Sequence, residues 1–148
     1  MTYLRVPVDA NGDVRVDLRT APLSGANIVM VECPGTIATG YITVTGTATG
    51  VPWEMYQTVT PDDDPHPYQQ ADGKKVFSIV YSLYDRHGNV AGNRQIHVQI
   101  VPREGYLKAV EKTVRTNEEG KAMISYGPSD VAGIADIEAY AVDNESLL

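Results

Sequence analysis

Residues 81–101 read YSLYDRHGNVAGNRQIHVQIV. Two alternating apolar runs flank a polar packet, Asp85-Arg86-His87-Gly88-Asn89. A general acid–base site would use His87 oriented by Asp85. The two stand only two residues apart on a turn, and no Ser or Cys nucleophile lies in a recognisable motif. A corner between strands fits the same residues better. Asp accepts backbone N–H groups in a tight turn, Gly88 supplies a positive φ, and Asn89 tolerates left-handed geometry. Asp85, Gly88 and Asn89 are therefore expected to be structural turn residues, with Tyr81 packed nearby. Arg86 and His87 would stand at the tip, open to a partner.

Outward from this corner, period-two alternation recurs, while sustained helical spacing is absent. Val14, Val16 and Leu18 alternate with Arg15 and Asp17. Residues 41–47 are β-branched and Thr-rich, and Trp53, Met55 and Gln57 alternate with Glu54, Tyr56 and Thr58. Further strands are expected over 76–84, 96–100, 110–116, 122–126 and 134–142. Turns punctuate them at Asn11-Gly12, Pro34-Gly35, Asp72-Gly73, Glu119-Gly120 and Gly127-Pro128. This pattern predicts an all-β, antiparallel sandwich. The stretch TPDDDPHPYQQADG, residues 60–73, is too rich in proline and acid for regular structure and exceeds the usual connection length.

An internal repeat is visible. The same spacing separates Gly12 from Gly25 and Gly120 from Gly133. Aligned on the first glycines, Val14, Val16 and Leu18 fall on Ala122, Ile124 and Tyr126. Val29, Val31 and Cys33 fall on Ile137, Ala139 and Ala141, which predicts two equivalent strand–turn–strand units.

The C-terminal copy resembles the closing half of bacterial immunoglobulin-like domains of the invasin and intimin type. The residues that carry it are Thr116-Asn117-Glu118-Glu119-Gly120-Lys121-Ala122, then Gly133 and Ile137-Glu138-Ala139. A related immunoglobulin-like pattern, Tyr-x-x-x-Asp-x-x-Gly-Asn, is met by Tyr81, Asp85, Gly88 and Asn89, with TVTGTATGVPWEMYQTV resembling the early strands. The resemblance implies an immunoglobulin-like β-sandwich over residues 25–102 with additional β-hairpin elements at the termini. Residues 1–24 would be an N-terminal hairpin or arm, and residues 103–148 a β-meander resembling half of a second such domain. That meander could pair with the N-terminal hairpin, extend the first sandwich, or complete a neighbouring chain's sheet. A lone Trp on an early strand of such a sandwich is the core anchor, so Trp53 is expected inside.

Charge and composition exclude several classes. The net charge is −7, from 19 acidic and 12 basic residues. That sign opposes nucleic acid and anionic membranes as partners. The single cysteine, Cys33, precludes an internal disulfide and is expected as a small buried thiol in NIVMVEC. No apolar run nears the about 18 residues of a membrane span. The N-terminus lacks an apolar secretory core, so synthesis in the cytoplasm is expected.

Candidate chemistry is sparse. Asp62, Asp63 and Asp64, beside His66, offer carboxylates for a hard cation but lack EF-hand spacing, and a solvated loop is the plainer expectation. His66, His87 and His97 lie too far apart for a zinc pattern, and His97 should sit on a strand's polar face. No catalytic residue, cofactor or metal is expected. Tyr56, Tyr68, Tyr106 and Tyr140 are the tyrosines freest to face a partner.

Contact with other subunits is expected at Tyr3, Leu4, Val6, Tyr106, Tyr140 and Leu147, because termini of β-forming sequence suit strand addition. Domains similar to these decorate phage capsids and tails. The resemblance, with the missing secretory signal, therefore implies a non-enzymatic bacteriophage virion protein. It would be a capsid or tail decoration protein, present in many copies, that binds an assembled shell. It would stabilise that shell or present a weakly glycan-binding, adhesive domain. A cell-surface adhesin module of a longer secreted protein and an accessory carbohydrate-binding domain are the alternatives.

Overall fold

A computed structural model describes residues 4–48, 50–61, 67–104 and 107–142. Among them are eight strands: β1 (Gly25–Glu32), β2 (Thr39–Gly46), β3 (Glu54–Thr60), β4 (Phe77–Tyr84), β5 (Gln95–Pro102), β6 (Val110–Arg115), β7 (Lys121–Tyr126) and β8 (Ala135–Val142). All pairings are antiparallel. They form a two-stranded sheet β1-β2, a three-stranded sheet β3-β4-β7 and a second three-stranded sheet β6-β5-β8.

The chain divides into two compact units, Met1–Gly46 and Thr47–Leu148. The boundary between the units coincides with neither of those expected at 24/25 and 102/103. The physical reason lies in the sheets. β7 is the second neighbour of β4, and β6 and β8 flank β5 on both sides. Residues 103–148 thus supply sheet partners to the very strands that read as one domain by themselves. Among the described residues the Thr-rich β2, expected as an early strand of that sandwich, pairs with β1 alone.

In the second unit both three-stranded sheets share one core. β4 contributes Ile79, Tyr81 and Leu83, β5 contributes Ile96, Val98 and Ile100, and β7 contributes Ala122 and Ile124. Strict alternation places these residues on one face of each strand. Register matches them across the sheet, Ile79 with Ile124 and Tyr81 with Ala122. Each fully buried aliphatic side chain adds roughly 1.5–3 kcal/mol of apolar transfer free energy.

Two expected core residues lie elsewhere. Trp53 is 73 % exposed. It precedes β3, and its amide donates to the Tyr84 carbonyl at 2.8 Å, beyond the last core layer of Met55 and Leu83. Tyr81, with no exposed surface, is the core's large aromatic instead. Cys33 is exposed, because it follows β1 into the turn toward β2, where no core is built.

In the first unit, residues 4–24 form no strand. The hairpin expected there is represented by its corner alone. Val14, Val16 and Leu18 are exposed, whereas their counterparts Ala122 and Ile124 are buried, so the repeat is not a repeat of packed strands. Its second glycines also differ: Gly25 has φ 145° and Gly133 has no positive φ.

Candidate interaction surfaces

Asp85 is only 2 % exposed. Its Oδ1 accepts the amides of His87 (2.8 Å) and Asn89 (3.0 Å), and its Oδ2 accepts Asn89 Nδ2 at 2.9 Å. The Gly88 amide donates to the Asp85 carbonyl, and the Asp85 amide to the Asn89 carbonyl. The Asn89 side-chain amide, helped by the Asn89 and His87 backbone N–H groups, holds the carboxyl below its ordinary range against the opposing effect of burial. Both carboxylate oxygens are engaged within the turn. Asp85 therefore grips the backbone of His87 rather than orienting its imidazole. The ring instead accepts a bond from Arg86 Nε at 3.0 Å. Gly88 has φ 81°, but the left-handed non-glycine residue of this region is Asn93 (φ 58°), not Asn89.

The same construction occurs three times. In Asp9-Ala10-Asn11-Gly12-Asp13 and Asn117-Glu118-Glu119-Gly120-Lys121, as in 85–89, the first side-chain Oδ1 accepts the amides of the third and fifth residues. In each, the glycine amide donates to the first residue's carbonyl, and the first residue's amide to the fifth residue's carbonyl. The glycines have φ 89°, 81° and 72°. Asx-x-x-Gly is legible in the sequence; aligning Gly12 with Gly120 places Asp9 on Asn117, the residue pair that makes the turn.

Thr116, 1 % exposed, locks the neighbouring loop. Its hydroxyl donates to the Ala91 carbonyl (3.0 Å) and accepts the Arg94 amide (2.9 Å). Sequence reading missed it, although a Thr directly ahead of an Asx-x-x-Gly corner is a usable sign.

The expected interface residues fall into two groups. Tyr3, Tyr106 and Leu147 lie outside the described residues, as do Asp62, Asp63, Asp64 and His66. Leu4 is exposed, Val6 is half-buried and Tyr140 is exposed. Tyr140 stands on the outer face of β8 with its ring 5.0 Å from that of His97. His97 Nε2 lies 3.4 Å from Glu111 Oε1 and Nδ1 lies 3.4 Å from Thr113 Oγ1. This is a cross-strand surface cluster, with His97 on the polar face of β5. Tyr56, also exposed, packs edge-on against Tyr84 at 5.8 Å. Its hydroxyl donates to Glu54, which raises the tyrosine's pKa.

The hairpin β1-β2 carries apolar side chains on both faces. Register places Val29 and Ile42 together on one face, and Met30 and Tyr41 together on the other. Ile28, Val31, Tyr41 and Ile42 are each more than half exposed. No described residue of 4–46 is fully buried. Among the described residues, no three His, Cys, Asp or Glu side chains converge as a metal site. The chain matches no protein-family model, no curated protein and no solved structure.

Proposed function

We propose that this chain is a non-enzymatic structural module that works by burying surface in a larger, multi-copy assembly. The observation that carries this reading is the β1-β2 hairpin. A two-stranded ribbon is marginally stable alone, and this one displays apolar side chains on both faces. Contiguous exposed apolar surface of that kind marks an interaction site. The buried polar groups of the 85–89 corner are engaged in turn hydrogen bonds, which is the chemistry of a scaffold.

The second unit is best read as immunoglobulin-like. The orders β3-β4-β7 and β6-β5-β8 fit strands A-B-E and C′-C-F of that fold. The Tyr81–Asp85–Gly88–Asn89 corner joins B to C. Within this class, the resemblance to domains that decorate phage capsids and tails favours a virion decoration protein. The net charge of −7 supports a protein surface as the partner, not nucleic acid.

Co-sedimentation tests the proposal. Tagged chain is mixed with virions produced from the genome that encodes it. Saturable pelleting with virions supports the reading. Pelleting only with intact bacterial cells would favour an adhesin, and chain left in the supernatant in both cases would contradict shell binding.

A further inference from the structure

The second unit is closed on one side and open on the other. β6 approaches β7, which brings the two sheets together there. At the opposite side the free strands are β3 and β8. Inward residues of the edge strands are only partly buried on both sides, Val110 and Val114 of β6 as well as Met55 and Val59 of β3 and Ile137, Ala139 and Ala141 of β8. What sets the β3/β8 side apart is that, among the described residues, these two edge strands do not approach each other as β6 and β7 do. Among the described residues, no backbone hydrogen bond reaches the outer edge of β8. In an immunoglobulin-like sandwich this is the place of the last strand, beside F.

The four sheet edges differ in how they discourage pairing. β3 is bracketed by Pro52 and Pro61. β6 carries Glu111, Lys112 and Arg115 and sits against β7. β8, ADIEAYAV, has neither Lys nor Pro. Its charges are Asp136, which Arg103 pairs, and Glu138, so a complementary strand with a basic residue opposite Glu138 would meet its charge rather than be repelled by it.

The chain also carries a segment shaped for that edge. Residues 13–19 read DVRVDLR, with Val14, Val16 and Leu18 on one side and Arg15, Asp17 and Arg19 on the other. They are exposed and form no ladder. They follow the Asp9 corner, which is built like the two corners that join paired strands elsewhere, yet here makes only its closing rung, Asp9 N–H to Asp13 carbonyl. On the other side of that corner Pro7 has no N–H to give, which suits residues 4–8 to an outermost strand.

We propose that the free edge of β8 takes up residues 13–19 of a second copy of this chain as an added antiparallel strand. Charge selects the register. Setting Arg19 opposite Glu138 puts Asp17 opposite Tyr140 and directly opposite neither carboxylate of β8. Leu18 and Val16 then face inward beside Ala139 and Ala141, where small side chains leave room for larger ones. Each copy offers one donor segment and one acceptor edge, so the contact is head-to-tail and propagates to rings or filaments. This rests on reading the second unit as a sandwich with β8 next to last; shell binding is independent of it, so the sedimentation test and the one below can fail separately.

The test is a mass measurement of the full chain over a concentration series. The expected result is growth from the 16.1 kDa monomer to about twofold mass and beyond. Val16→Pro combined with Asp17→Pro should return the chain to monomer, because one of two adjacent amides faces β8 whichever way the added strand lies, and both residues are exposed in the monomer. In a Cys33→Ser background, Leu18→Cys chains mixed with Ala139→Cys chains should form an interchain disulfide. A monomer at every concentration would overturn the proposal. So would assembly that the double-proline variant leaves unchanged, or no disulfide in the mixture.

Discussion

The amide of Leu83 donates to the carbonyl of Gly120 at 2.9 Å, tying the end of β4 to the corner between β6 and β7. A Cβ on Gly120 would stand 2.8 Å from the Leu83 carbonyl oxygen and 3.3 Å from the Ala91 amide. The equivalent glycine of the 85–89 corner, Gly88, has nothing within 4 Å of such a Cβ. The two share a left-handed backbone and differ in their surroundings. Gly88→Ala is expected to cost about 1–2 kcal/mol, the backbone penalty alone. Gly120→Ala should cost about 3 kcal/mol or more, since the backbone of a core strand must also shift. Urea unfolding of both variants measures the difference.

Tyr81 is wholly buried and its hydroxyl has no hydrogen-bond partner. A buried unsatisfied polar group costs roughly 1–3 kcal/mol. Tyr81→Phe keeps the ring and removes the orphan, so it should raise stability by about 1 kcal/mol. Burial also pushes the Tyr81 hydroxyl above its ordinary 10.0. Its neutral form is favoured in the folded state, so the contribution is intact below 10.0 and is lost as pH rises through the higher folded value. Alkaline unfolding curves of the two proteins should therefore diverge above pH 10.0.

Asp85 is held below its ordinary 3.8. Its contribution is present above that value and is lost as pH falls through the lowered folded value. Asp85→Asn should flatten this acid-side loss and be less stable than the parent near neutrality. It can keep the two backbone bonds, as Asn117 does in the equivalent corner, but not the carboxylate acceptor of the Asn89 side-chain amide. Asp85→Ala removes the acceptor of three N–H groups, two backbone and one side-chain, and should be the more destabilising change near neutrality. Thermal melts across the acid range distinguish the three proteins.

Trp53 and Ile96 exchange the roles that size alone would give them. Trp53→Ser should change stability by no more than about 0.5 kcal/mol, as for other surface positions. Ile96→Ala, at the centre of β5, should cost about 2–5 kcal/mol. Loss of binding to an assembly in Trp53→Ser, with stability unchanged, would place this aromatic in an interface.

The strands were legible because alternation is local. Of the nine segments expected as strands, the eight from NIVMVEC to 134–142 have a counterpart among β1 to β8, and only 14–18 has none among the described residues. What the sequence could not show is which strands share a sheet. Pairing of β4 with β7 and of β5 with β8 depends on contacts across long loops, and no local pattern encodes them. Val14, Val16 and Leu18 alternate as well as Ala122, Ile124 and Tyr126 do, yet only the latter have a partner strand. The 85–89 corner was readable because a side chain and the backbone two and four residues on make it. Trp53 misled because residue type was weighed without its distance from the end of the core.

We propose that the sheets within residues 47–148 form a sandwich left open at β8, which residues 13–19 of another copy complete. Amide hydrogen exchange on the full chain, dilute and then concentrated, tests it most directly. In dilute solution the amides of β4 and β5 should be the slowest, with β8 protected only where it faces β5 and residues 13–19 unprotected. On concentration, the remaining β8 amides and alternate amides of 13–19 should slow together. Protection of both β8 edges already at high dilution, or concentration-independent exchange in 13–19, would contradict the account.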